Sequence, residues 1–120
     1  MERPKLNFDR NYNNKLRCRV FTSLRLPDEK YKKGTLLDVQ LGGYSKGTVK
    51  IIGMSHTSCD KLSEWIAKLD TGFTAKETIK LLKQLYADRP CIDWNTQPLV
   101  YLLLEWEGQE RMSDIFEKPD

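Results

Sequence analysis

Apolar positions recur along the chain with two different spacings. Leu62, Trp65, Ile66 and Leu69 fall at i, i+3, i+4 and i+7, which is the stripe of an amphipathic helix, with Asp60 expected at its start. Gly72 marks its end, because glycine enters the left-handed conformation without steric cost. Thr74 and Glu77 then form a capping-box spacing, in which each side chain satisfies a backbone N–H near a helix start. The second helix carries Ile79, Leu82 and Tyr86 on one face, widened by Leu81 and Leu85, and ends near Ala87 and Asp88 because Pro90 disfavours helix before it. The spacing predicts a helical hairpin with a polar elbow, Asp70-Thr71-Gly72-Phe73-Thr74, and core packing for Trp65 and Tyr86.

Upstream the period is two. From Leu16 to Leu26 the chain alternates, which predicts a strand with Leu16, Cys18, Val20, Thr22, Leu24 and Leu26 on one face and Arg17, Arg19, Phe21, Ser23 and Arg25 on the other. That second face reads either as a guanidinium and stacking platform for nucleic acid or as the wet side of an edge strand. Strands are also expected over Thr35–Leu41 and from Thr48 to about Met54, joined by the glycine-rich loop 42–47, where Tyr44 could stack on a ligand. Leu99 to Trp106 is nearly continuous in apolar residues and belongs in the middle of a sheet. A helical segment fits Phe8 to Lys15. The order of elements predicts an α+β domain, a small curled sheet or barrel with a helical hairpin packed to one side.

With 120 residues, 39% of them hydrophobic, the chain supports one core. Residues 1–107 are read as a single domain, with 1–7 a loose N-terminal arm and 108–120 an acidic C-terminal tail. No apolar run approaches the roughly 20 residues that span a bilayer, so the expected location is cytoplasmic, with no membrane partner. Cys18, Cys59 and Cys91 lack any paired spacing and are read as reduced thiols. His56 and Cys59 offer two ligands where a structural zinc site needs four, so no metal and no cofactor are expected. The lone His56 is read either as a general base or as a surface residue at a strand end. Net charge is +3, with the basic residues concentrated in the first half, where an anionic partner would dock. The charged connection through Lys30, Lys32 and Lys33 is either a phosphate contact or a solvated turn.

Taken together, Thr22-Ser23-Leu24-Arg25, the Lys32-Lys33-Gly34 segment before a strand, the strand, glycine loop and strand that follow, and Gly72-Phe73-Thr74 with Glu77 and a helix ending at Tyr86 resemble the ASCH domain, a family of the PUA-like superfamily. The resemblance spans about residues 8–107. It implies a cleft between barrel and helices that takes RNA or a modified nucleoside. Ser23 stands at the threonine of the family's Lys-x-x-Thr-Ile-Arg pattern, Leu24 at the isoleucine and Arg25 at the arginine, while Val20 occupies the lysine position. In members that look like acetylcytidine amidohydrolases, that lysine, that threonine and an acidic residue before the second helix are catalytic. Here the acidic position falls at or beside Thr71, with Asp70 the nearest carboxylate. The expected function is RNA or nucleotide binding through Arg19, Thr22, Ser23, Arg25, Tyr44, Asp70 and Thr71, with catalysis left open. If the protein is an enzyme, Ser23 is the nucleophile and Asp70 the base of an amidohydrolase, or Arg25 serves a ribonuclease. A protein-interaction module using the acidic tail or an exposed edge strand is the third alternative.

Overall fold

The period-two segments do form a single sheet, and the helical hairpin packs on one side of it. The computed structural model describes residues 3–108, so most of the acidic tail lies outside the described residues. Its five strands are β1 (Lys5–Phe8), β2 (Val20–Arg25), β3 (Leu36–Leu41), β4 (Tyr44–Ser58) and β5 (Pro98–Glu107), in the order β1-β3-β4-β5-β2. β1 pairs with β3 in parallel and every other pair is antiparallel. The sheet is a curled half-barrel. β5 lies between β4 and β2, as its continuous apolar run requires.

Curling brings the two edge strands, β1 and β2, to face each other across an open seam. Phe8 of β1 meets Phe21 of β2 edge to face, with ring centroids 6.2 Å apart, and Phe21 in turn contacts Trp106 at 5.6 Å. Side chains close the seam in place of a strand ladder. The Arg25 Nη2 donates to the Asn7 carbonyl at 2.7 Å, and Lys30 Nζ donates to the Lys5 carbonyl at 2.9 Å. On the other side, the Leu24 amide donates to Asp70 Oδ2 at 3.3 Å and the Leu26 amide to the Tyr86 hydroxyl at 3.5 Å. Exposed sheet edges template aggregation, and these contacts occupy the edge groups instead.

Helix α1 is Glu64–Thr71 and helix α2 is Ala75–Leu85. Gly72 ends α1 with φ at 84°, and Thr74 with Glu77 forms the capping box that starts α2. Both match the expectation from sequence. Around the sheet interior, Leu6, Leu37, Val39, Val49, Ile51, Leu102, Leu104 and Trp106 make the main core, and Leu24, Leu26, Leu82 and Leu99 make a second cluster beneath α2.

Several sequence expectations are corrected. The alternating stretch 16–26 is strand only over β2; Leu16 sits in a short 3-10 segment, Tyr12–Arg17, which displaces the helix expected over Phe8 to Lys15. Phe21 is buried inside the half-barrel and shares no wet platform with Arg17 and Arg19, because β2 is covered on both sides and offers no solvated face to an aromatic. In α1 the buried positions are Ala67, Asp70 and Thr71; of the expected apolar stripe Leu62 and Ile66 pack against the second cluster, whereas Trp65 is 80% exposed and Leu69 lies outside, so only half of the stripe faces the core. Ser63, not Asp60, caps α1, its hydroxyl accepting from the Ile66 amide. Residues 5–7 of the expected loose arm belong to β1, pinned by the fully buried Leu6. β4 runs on to Ser58, which places His56 within a strand, and the expected six-residue loop narrows to a tight turn at Gly42 and Gly43, both with positive φ. Tyr86 is half-buried against the second cluster, as expected.

Candidate functional site

A cleft of about 600 Å³ opens at the seam, bounded by β1 and β2, the Gly42-Gly43 turn, the helical elbow and α2. Its floor is built around Asp70. Asp70, 2% exposed at the end of α1, accepts Lys15 Nζ at 3.0 Å and the Thr22 hydroxyl at 2.8 Å on Oδ1, and the Leu24 amide on Oδ2. Three donors converge on one buried carboxylate, so its position is fixed by the 3-10 segment and β2 together. Lys15 reaches it because Asn13 and Asn14, both with positive φ, turn the 3-10 segment toward α1, where the Asn13 amide donates to the Lys68 and Leu69 carbonyls.

Lys15 is itself buried, 5.3 Å from the Phe8 ring centroid. Burial holds its pKa below the ordinary lysine value; Asp70 pulls the other way, and the nearby Arg25 charge adds to the lowering. A buried amine with a lowered pKa, paired to a carboxylate at the floor of a cleft, is the arrangement in which proton-handling groups are found.

Arg25 forms the adjoining wall. Its guanidinium lies 4.6 Å from the Phe8 centroid, Nε donates to Ser23 Oγ at 2.8 Å and Nη2 to the Asn7 carbonyl. These contacts fix the guanidinium plane. Lys30, Tyr31, Tyr86 and Arg89 also line the cleft, Tyr31 as a buried member of the main core and Arg89 5.6 Å from the Tyr86 ring. Burial pushes the Tyr31 phenol up to about 12.

The residues expected from sequence are placed as follows. Ser23, Arg25, Asp70 and Thr71 line the cleft, and Thr22 reaches it through its bond to Asp70. Ser23 and Asp70 are not bonded to each other; Ser23 Oγ holds Arg25, and Asp70 holds Lys15, Thr22 and Leu24. The Thr71 hydroxyl bonds the Ala67 carbonyl, the Phe73 amide and Thr78 Oγ1, which knots the elbow together. Arg19 lies outside the cleft, 3.7 Å from Glu105, and Tyr44 is 75% exposed beyond the Gly42-Gly43 turn. Sequence reasoning missed Lys15, Phe8, Tyr31 and Tyr86 as cleft residues. Nothing local distinguishes Lys15 from the other lysines, since its burial depends on a partner 55 positions away.

No group of three or more His, Cys, Asp or Glu side chains converges among the described residues. No helix among them is long and apolar enough to cross a membrane.

No protein-family model matches the sequence, and no curated protein matches it. Among solved structures, the chain is similar to protein EF3133 from Enterococcus faecalis V583, described with the family model DUF984. The two superpose with a TM-score of 0.67 at 15% identity, over 89% of this chain and 78% of that one. At that identity the likeness shows the fold.

Proposed function

We propose that the seam cleft binds a nucleotide-like ligand, free or carried by RNA. The observation that carries this reading is Arg25, a guanidinium over the Phe8 ring, held by Ser23 and Asn7, in the lining of a cleft of about 600 Å³. Arginine in a fixed plane suits a phosphate, while the half-buried Tyr86 supplies aromatic surface for a base. The order of Thr22-Ser23-Leu24-Arg25 and the capped elbow, similar to an ASCH domain, supports the same ligand class.

Titrating a short fluorescent single-stranded RNA with the protein at several salt concentrations tests the reading by anisotropy. Binding is expected to weaken as salt rises and to fall roughly tenfold or more in Arg25→Ala, the scale of a lost charge-assisted contact. Absence of binding at low salt to the RNA and to nucleoside monophosphates would overturn it.

One observation favours a hydrolase as the second reading. Lys15 supplies, from the 3-10 segment, an amine beside Asp70 that the sequence pattern lacks at Val20. In that case Lys15 acts in its neutral form, which burial favours: Ser23 Oγ attacks an amide carbonyl, its proton passes to that amine, the departing amine takes the proton up, and water then releases the acyl group from Ser23. Turnover of acetylcytidine by the wild type and its loss in Ser23→Ala would establish it; binding without turnover leaves the first reading alone.

A further inference from the structure

Beside the cleft lies a second depression of about 460 Å³ between the segment 9–12 and the outer face of α2, with walls of Arg10, Tyr12, Phe73, Lys80 and Leu85. It shares Asp9, Tyr12, Leu81 and Leu85 with the cleft, so the two form one continuous groove. Phe73 is 37% exposed and meets Tyr12 edge on, with centroids 6.3 Å apart. Its backbone amide donates to Thr71 Oγ1, and it directly precedes the Thr74 cap, so the ring stands on a fixed backbone.

The depression carries two carboxylates, Asp9 and Glu77, and two cations, Arg10 and Lys80, and the two signs differ in how they are engaged. Both of its carboxylates are occupied: Asp9 Oδ1 accepts the Tyr12 hydroxyl at 2.8 Å, and Glu77 Oε1 accepts the Thr74 amide at 3.1 Å. Arg10 and Lys80 are exposed and enter no ion pair among the described residues. An aromatic face flanked by unengaged cations, continuous with a site that already holds an arginine, has the composition of a stacking and phosphate position for single-stranded nucleic acid.

We infer that this depression is a second nucleotide position, so that the ligand of the groove is a single-stranded RNA segment of at least two nucleotides. One base lies in the cleft, the next stacks on Phe73, and the phosphate attached to that second nucleotide meets Arg10 and Lys80. The inference rests on the proposed nucleotide binding in the cleft.

Its test compares nucleoside 5′-monophosphates with the corresponding 5′-phosphorylated ribodinucleotides by calorimetric titration against wild type, Phe73→Ala and Lys80→Ala. Dinucleotides are expected to bind the wild type about 5- to 100-fold more tightly than monophosphates, the range of one added stacked base. Phe73→Ala should remove most of that gain and Lys80→Ala part of it, while monophosphate affinity stays unchanged in both. Both side chains are exposed, and unchanged thermal melting confirms that the variants fold. Equal affinity for the two ligand lengths, or a gain that survives in both variants, overturns the second position while leaving the cleft as a mononucleotide site. Failure of both ligand lengths to bind overturns the cleft reading and this inference with it.

Discussion

Asp70→Ala is expected to destabilise the protein by about 3–5 kcal/mol, the cost of removing one partner from a buried ion pair. The carboxylate satisfies Lys15, Thr22 and Leu24 at once, and its loss leaves an ammonium and a strand amide without partners inside the protein. For a domain of this size that corresponds to a fall in Tm of roughly 12 °C or more. Lys15→Met should cost less than Asp70→Ala, since Asp70 keeps two of its donors. The double variant Lys15→Met/Asp70→Ala should recover much of the loss, because no unpaired charge remains. If the double variant is destabilised by the full sum of the single changes, the pair is not coupled as the 3.0 Å contact requires. The pair also leaves a mark in the pH dependence. Burial lowers the Lys15 pKa, so between its folded value and the ordinary lysine value the unfolded chain binds more protons than the folded one. Lys15 therefore makes stability rise with pH through that window, and the difference between wild type and Lys15→Met should show this rise in urea titrations.

The second large effect is expected at Trp106. Trp106→Ala should cost about 3–5 kcal/mol in a denaturant titration, as for other large-to-small changes in a close-packed core. The indole is fully buried, packs on Phe21, and donates Nε1–H to the Leu16 carbonyl at 3.2 Å. That bond ties the half-barrel core to the residue next to Lys15. Trp106→Phe should retain most of the packing yet leave the Leu16 carbonyl without its donor, for a smaller loss of about 1–3 kcal/mol. It should also weaken the RNA binding proposed above by loosening Lys15 at the cleft floor. A Trp106→Phe protein with unchanged stability would show that the indole N–H contributes nothing to holding the 3-10 segment.

Local signals in the sequence carried part of this architecture and missed the rest for definable reasons. The Gly72 stop, the Thr74 and Glu77 capping box and the central position of β5 were legible because each depends on neighbouring residues alone. The faces of β2 and α1 were not. β2 is covered on both sides, so apolar and polar residues no longer alternate between core and water, and Phe21 is buried although its neighbours in register looked wet. α1 turns Asp70 inward because three donors wait for it, which leaves Trp65 and Leu69 outside despite their helical spacing. A hydrophobic pattern cannot register a buried carboxylate whose partners lie 46 to 55 positions earlier in the chain. Ser23, Arg25, Asp70 and Thr71, singled out in the sequence, line one cleft in the structure, whereas nothing in the sequence near Lys15 marks a lysine whose burial depends on a partner 55 positions away.

Amide chemical-shift mapping on the isotope-labelled protein, titrated with a nucleoside monophosphate and then with a short single-stranded RNA, tests the proposed cleft most directly. Saturable shifts concentrated at Ser23, Leu24, Gly42, Gly43, Thr71 and Tyr86, the groups that surround Arg25 and Asp70, are the predicted result. Shifts confined to residues away from the seam, or none at millimolar ligand, would contradict it.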